Sequence, residues 1–369
     1  MTPVDLAILK TGPHLREPSE FDPDINTIGD LRRLEARRML NNLALPTDID
    51  SEISEVGTVE LFTHATSPWD LSVLPEKYQP AAVDNNLLVG AYVSRINESL
   101  RKRKKLIISL LRFPTAAQSQ KAAADFDAIT NAENNRHPLV IEGYPEARTS
   151  SADDVTSLTF MPRDNFVVLV NAGVPQPDPA ALATVVKKTI DRQLTLLRDF
   201  RPMPFDDLLD IPIDPDSILR RALPKSPDNS DPFLVKWDFG AMSPAAELHY
   251  ERNPLAVKAA FEASGVDLIG RRGGIVYRTR DLPGAYHLQS VLVKTGKNDE
   301  VLPAPPGLPD TRCIRLDVVD EIRNFDEMCA VIRGRYVALV FTKSRIGGGV
   351  NPDLYQRAAA QYSILANSE

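Results

Sequence analysis

Directly after Pro179, apolar residues recur at spacings of three and four through Leu182, Val185, Val186, Ile190, Leu194 and Leu197. This is the stripe of an amphipathic helix whose apolar side belongs to a core rather than to a cofactor box. A second helix is predicted over Ala116 to Ile129, an Ala-rich run with Ala122, Phe126 and Ile129 on one side. A third starts at Asp30 as N-cap, runs through Leu31, Leu34 and Met39 to Leu40, and stops before Pro46, with Arg32, Arg33, Arg37 and Arg38 as a solvated face. Leu87 to Ile96 and Lys105 to Phe113 are apolar and β-favouring, which predicts two strands. Val155 to Phe160 and Phe166 to Val170 read as a hairpin around Pro162, Arg163 and Asp164. Met1 to Asn26 reads as extended, and Arg201 to Pro224 as irregular.

The second half repeats this plan. Ile275 to Arg278 reads as a strand, Asp281 to Leu292 as a helix, Tyr336 to Phe341 as a strand and Leu354 to Leu365 as a helix. Arg112 and Arg278, Val167 and Val337, and Gln193 and Gln361 stand 166, 170 and 168 residues apart. A nearly constant offset is what a duplicated unit leaves behind. The fold predicted is α+β: two related sheet-plus-helix modules, each a β-α-β-β-α unit of ferredoxin-like type with its helices on one face. The repeat units run over about 87–200 and 254–366, inside domains 1–222 and 223–369. Leu223 to Pro232, with Pro224, Pro227 and Pro232 among Asp, Ser and Asn, is the predicted linker.

The chain has 369 residues, enough for two domains, and 30 prolines against 18 glycines make its connections stiff. Its net charge of −7 argues against nucleic acid as a partner. No stretch reaches the ~18 consecutive apolar residues of a membrane span. Cys313 and Cys329 have neither a CxxC pattern nor a His at ligand spacing, which removes zinc and leaves a structural disulfide or two inert thiols.

No catalytic or cofactor motif emerges. Ser243 lacks the flanking glycines of a nucleophile elbow. His14, His64, His137, His249 and His287 are scattered singly, so no metal site is predicted. Gly347, Gly348 and Gly349 lack the Lys-Ser/Thr that closes a nucleotide loop, and no cofactor is expected. Gly270, Arg271, Arg272, Gly273 and Gly274 read as a tight turn with solvated arginines. The acidic cluster Asp206, Asp207, Asp210, Asp214 and Asp216 lacks the spacing and central Gly of a calcium loop and reads as a packed connection. The basic run Arg101 to Lys105 can hold anionic headgroups but reads first as a solvated connection. The preferred ligand-binding patch is Tyr277, Arg278, Arg280 and Asp281, charged and aromatic groups at a strand end.

Several segments together resemble a known family. They are Leu34 to Met39 with Leu45 and Pro46, Leu111 to Pro114, and Pro202 to Pro215 ending in Ile211, Pro212, Ile213, Asp214 and Pro215. Gly265 to Asp267 leading to Val276–Asp281, and the tail Gly334 to Ala338 with Ala360, Gln361 and Tyr362, complete the set. In order and spacing these are similar to the actinobacterial cell-envelope lipoproteins of mycobacterial and nocardial type, classed as a domain of unknown function. The resemblance implies a disulfide between Cys313 and Cys329, an extracytoplasmic place at the envelope, and a lipid anchor encoded by a leader that these numbers do not contain. It implies no activity. The function expected is non-enzymatic binding of a lipid, an envelope component or a partner protein in a cleft between the modules. The alternatives are a hydrolase whose carboxylates converge in that cleft, or a structural scaffold.

Overall fold

The computed structural model describes residues 1–23, 25–132, 135–225, 239–345 and 348–368. Two compact units emerge, and each draws on both halves of the chain. One comprises Ile25–Ile211 with Leu248–Pro254; the other comprises Met1–Asp24, Pro212–Glu247 and Leu255–Glu369. The division therefore falls at 211/212 rather than 222/223. Of the predicted linker, Leu223 is fully buried, and its continuation from 226 to 232 lies outside the described residues.

The N-terminal unit carries β1 (Glu55–Phe62), β2 (Val89–Ile96), β3 (Lys105–Arg112), β4 (His137–Pro138), β5 (Arg148–Ser151), β6 (Thr156–Arg163) and β7 (Phe166–Gly173) in the order β1-β2-β3-β7-β6-β5-β4. Every pairing is antiparallel. The C-terminal unit carries β8 (Gly240–Met242), β9 (Leu268–Arg271), β10 (Ile275–Arg278), β11 (Glu300–Leu302), β12 (Arg312–Asp320), β13 (Phe325–Arg333) and β14 (Tyr336–Thr342). Their order, β8-β9-β10-β14-β13-β12-β11, is the same arrangement in chain order. In both units a strand, a helix, a strand pair and a helix form a split β-α-β, with the last strand between the other two. The fourth strand of a ferredoxin-like unit is replaced by the strand that precedes the first.

The correspondence extends to single residues. Arg112 pairs with Phe166 where Arg278 pairs with Tyr336. The next residues close the ladders alike, Phe113 N–H donating to the Asn165 carbonyl and Thr279 N–H to that of Arg335. Thr115 and Asp281 then cap the helices Ala116–Asn131 and Leu282–Leu292. The hairpin turns need a left-handed residue and have Asp164 at φ 49° and Gly334 at φ 55°. On the neighbouring strand pair, Thr149 faces Thr159 with hydroxyls 3.0 Å apart, and at the same register Cys313 faces Cys329 in a disulfide.

Gln193 and Gln361 show why an amide recurs at the offset read from sequence. Gln193 accepts from Ala44 N–H at 2.9 Å and donates to the Asn42 carbonyl at 2.7 Å. Gln361 accepts from Leu223 N–H and donates to the Arg221 carbonyl, both at 2.8 Å. Each fully buried amide thus satisfies one N–H and one C=O, two residues apart, of a chain segment without a ladder. Gln193→Leu and Gln361→Leu each strand a buried N–H and a half-buried C=O, so each is expected to cost about 1–3 kcal/mol. Denaturant unfolding followed by hydrogen exchange should show the loss in the substituted unit.

Three expectations change. The helix Ile28–Asn41 starts one turn earlier than predicted, with Thr27 as N-cap and Asp30 as the third residue of a capping box. Its arginines are partly buried rather than a solvated face: Arg32 lies over the Phe205 ring and Arg38 over Phe200. The sheets are covered on both faces. In the N-terminal unit Leu111, Val167 and Leu169 pack with Phe126, while the alternate residues Leu106, Ile108, Leu110, Val168 and Val170, pointing the other way, are equally buried.

Two segments cross back in sequence to join a unit. The fully buried Arg95 holds Leu248–Pro254 by donating to the carbonyls of Leu248, His249 and Glu251 at 2.9 to 3.1 Å. The predicted solvated turn at Arg271 and Arg272 is instead interior, because it anchors the first residues of the chain. Arg272 donates to the Ser19 carbonyl at 3.0 Å and lies under the Phe21 ring, and Arg271 is 3.6 Å from the buried Glu247. Gly347 lies outside the described residues.

Candidate functional site

Tyr277, Arg278, Arg280 and Asp281 stand together at the end of β10, but with different surroundings. Tyr277 is fully buried against Phe261, because β10 is a central strand with neighbours on both edges. Arg278 is held between Asp267, at 2.7 and 2.9 Å, and Asp216, at 2.7 Å; the bond to Asp267 leads in keeping its guanidinium protonated. The Asp281 carboxylate caps the Leu282–Leu292 helix through Gly284 N–H. Of the four, Arg280 is the most exposed, and it donates to the Ala263 carbonyl.

The equivalent strand end in the N-terminal unit, at Arg112, is likewise closed, by Glu35 and the Met203 carbonyl, and the open surface lies beside it at the β6–β7 turn. There the β6–β7 turn, Tyr144 and the last turns of the Pro179–Leu197 helix with Arg198 to Pro202 enclose an open groove of about 800 Å³. Leu194 and Leu197 stand three apart and so share one side of the helix. With Phe166 and Phe200, whose rings lie 5.9 Å apart, they give the groove its apolar floor. Arg163, Arg198 and Arg201 stand at its rim. Arg198 pairs with Asp199 at 3.2 Å, and Arg201 caps the helix through the Arg198 and Phe200 carbonyls. Among the described residues the exposed Arg163 guanidinium has no hydrogen-bond partner. A second hollow of about 640 Å³ shares Arg163 and Asp164 and extends past Glu146 and Arg148 toward the start of the Ala116–Asn131 helix.

The wall of the groove is neutralised from within. The Tyr144 hydroxyl donates to Asp191, whose other oxygen accepts from Lys187 at 3.0 Å. That carboxylate pushes the Tyr144 phenol up to about 12, and the same bond holds the Asp191 carboxyl below its usual range. With Asp191 committed to Lys187 and Arg198 paired with Asp199, Arg163 and Arg201 stand against the single further lining carboxylate of Asp164, a small positive excess that suits an acidic ligand with an apolar side chain.

In the C-terminal copy the β13–β14 turn also carries aromatic rings beside guanidinium groups. Arg221 and Arg335 lie 5.3 and 5.7 Å from the centre of the Tyr336 ring, and Arg333 lies 6.0 Å from that of Tyr362. Guanidinium groups of the unit itself thus lie over those rings, as Arg38 lies over Phe200 in the N-terminal unit. Elsewhere, Asp214 of the acidic cluster accepts from Leu219 and Arg220 N–H, and Asp216 pairs with Arg278, as a packed connection requires. Among the described residues no group of three or more His, Cys, Asp or Glu is placed to hold a metal ion. The groove as a whole is not legible in the sequence because its parts come from three separate segments. Its one legible signal is the copy: Arg163, Asp164 and Phe166 stand where Arg333, Gly334 and Tyr336 stand.

A family model described as domain of unknown function (DUF7373), N-terminal, matches residues 22–213, and its C-terminal counterpart matches residues 218–368. No curated protein matches the chain. Among solved structures, the extracellular domain of PknH from Mycobacterium tuberculosis is 12% identical with a TM-score of 0.31, over 43% of this chain and 96% of that one. No described helix is long and apolar enough to cross a membrane. With the two matches together spanning nearly the whole sequence, the chain belongs to the DUF7373 family.

Proposed function

We propose that this protein is a non-enzymatic binding module of the extracytoplasmic cell envelope, and that its groove takes an extended acidic segment of a partner protein. The observation that carries this reading is the groove itself, with apolar Leu194, Leu197, Phe166 and Phe200 below and three arginines above. An open groove admits a polypeptide strand more readily than it encloses a lipid tail, which favours the protein partner. The buried Cys313–Cys329 bond supports an oxidising compartment, as does the resemblance to envelope lipoproteins.

The test is an array of extended nonapeptides that vary the number of Asp and Glu residues around one central apolar side chain, probed with the full chain. Capture should rise with acidic content, fall in high salt, and weaken about tenfold or more in Arg163→Glu/Arg198→Glu, the scale on which a rim arginine contributes. Uniform capture across the array, or capture unchanged in the variant, would contradict the reading.

A further inference from the structure

We propose that the tip of the β2–β3 hairpin is a docking element for an anionic phospholipid surface. The hairpin closes on itself with Leu100 at its tip, 84% exposed and followed by Arg101 and Lys102, both exposed. An aliphatic side chain presented to water at the end of a turn gains by entering an acyl boundary, and flanking cations gain by meeting headgroup phosphates.

The tip is built to hold that presentation. Asn97 spans it, donating through Nδ2 to the Lys102 carbonyl and accepting at Oδ1 from Lys104 N–H, both at 2.8 Å. Arg103 donates to the Asn97 carbonyl at 3.0 Å, and Ser99 Oγ accepts from Lys102 N–H at 3.0 Å. The cations divide into two sets. Lys104 is taken by Asp50 and Glu52, at 2.8 and 2.9 Å. Arg101 and Lys102, next to Leu100, have no acidic partner among the described residues. In a chain of net charge −7, an anionic surface repels most of the molecule, so attraction would orient it tip first. A solvated connection accounts for the cations but not for an apolar residue held out directly before them.

Sedimentation of the full chain with sonicated vesicles tests this, comparing phosphatidylcholine alone with phosphatidylcholine containing 30% phosphatidylglycerol. Binding should require the anionic lipid and disappear in 0.5 M NaCl. At ~1 kcal/mol per cation, neutralisation in Arg101→Gln/Lys102→Gln should weaken it roughly 25-fold. Leu100→Ser should weaken it about tenfold, the fold-change expected when one aliphatic side chain no longer leaves water. All these positions are exposed, so unchanged thermal unfolding should verify that the variants fold. Equal binding to both vesicle types, or none to either, would overturn the proposal. So would an effect of the charge variant without one of Leu100→Ser, because the tip would then be a general anion patch.

Discussion

Deleting residues 1–23 should unfold the C-terminal unit while the N-terminal sheet, which follows those residues directly in sequence, keeps its protection. The first residues are part of the distant unit's interior. Leu9, 2% exposed, packs with Leu354, Tyr362 and Ile364, and Val4 and Leu6 pack beside it. His14 bonds to Asp353 at 2.7 Å, and Asn367 donates to the Arg16 carbonyl at 3.2 Å. Burial works to raise the Asp353 carboxyl, but His14 and Arg357 outweigh it and hold it down at about 2. Removing the segment exposes Leu9's pocket, worth about 1.5–3 kcal/mol, and leaves the buried Arg272 without the Ser19 carbonyl and the Phe21 ring, worth about 2 kcal/mol or more. With the other lost contacts the sum reaches about 5 kcal/mol, which rivals the whole stability of a typical domain. Hydrogen exchange read by peptide should show fast exchange over β10, β13 and β14 and slow exchange over β2, β3 and β7. Loss confined to the N-terminal sheet, or no loss, would refute the assignment of the segment.

The second large effect belongs to the disulfide. Cys313 and Cys329 are 16 residues apart and both buried, in the cluster that also contains Leu302, Val331 and Val340. Closing a loop of that length restricts the unfolded chain by about 3 kcal/mol. Cys313→Ala/Cys329→Ala should therefore lower the melting temperature of the C-terminal unit by roughly 6–12 °C, at 2–4 °C per kcal/mol for a unit of this size. The register of β12 and β13 should survive, because the ladder from Arg312↔Ala330 to Arg315↔Glu327 is made by backbone groups. Calorimetry of the double variant checks this. A melting temperature equal to that of the unaltered chain would mean that the bond contributes nothing beyond the ladder.

Much of the duplication was legible in sequence, because its markers carry tight physical requirements. Arg112 and Arg278 end paired strands at one register, and Gln193 and Gln361 satisfy the same two backbone groups, so neither pair drifts far from a common offset. What stayed hidden was non-local. Nothing near Leu9 or His14 announces that their partners lie more than three hundred residues away. Arg271 and Arg272 read as solvated because charge usually is, whereas here Glu247, the Ser19 carbonyl and the Phe21 ring compensate them inside. Strand β12 is not legible because Arg315 and Asp317, and a bulge between Arg315 and Asp320, break its apolar alternation. From sequence, Tyr277 reads as part of a strand-end patch because Arg278, Arg280 and Asp281 beside it are charged. Only the position of β10 inside its sheet shows that the ring faces a core.

That both units are copies of one fold at matched register is tested most directly by giving the N-terminal copy the cross-link of the C-terminal one. Thr149 and Thr159 occupy the positions of Cys313 and Cys329, with their hydroxyls already in contact. Thr149→Cys/Thr159→Cys, purified under air and alkylated without reductant, should show by intact mass two disulfides and no alkylated thiol. Two alkylated cysteines in a folded chain would mean that β5 and β6 do not share the register of β12 and β13.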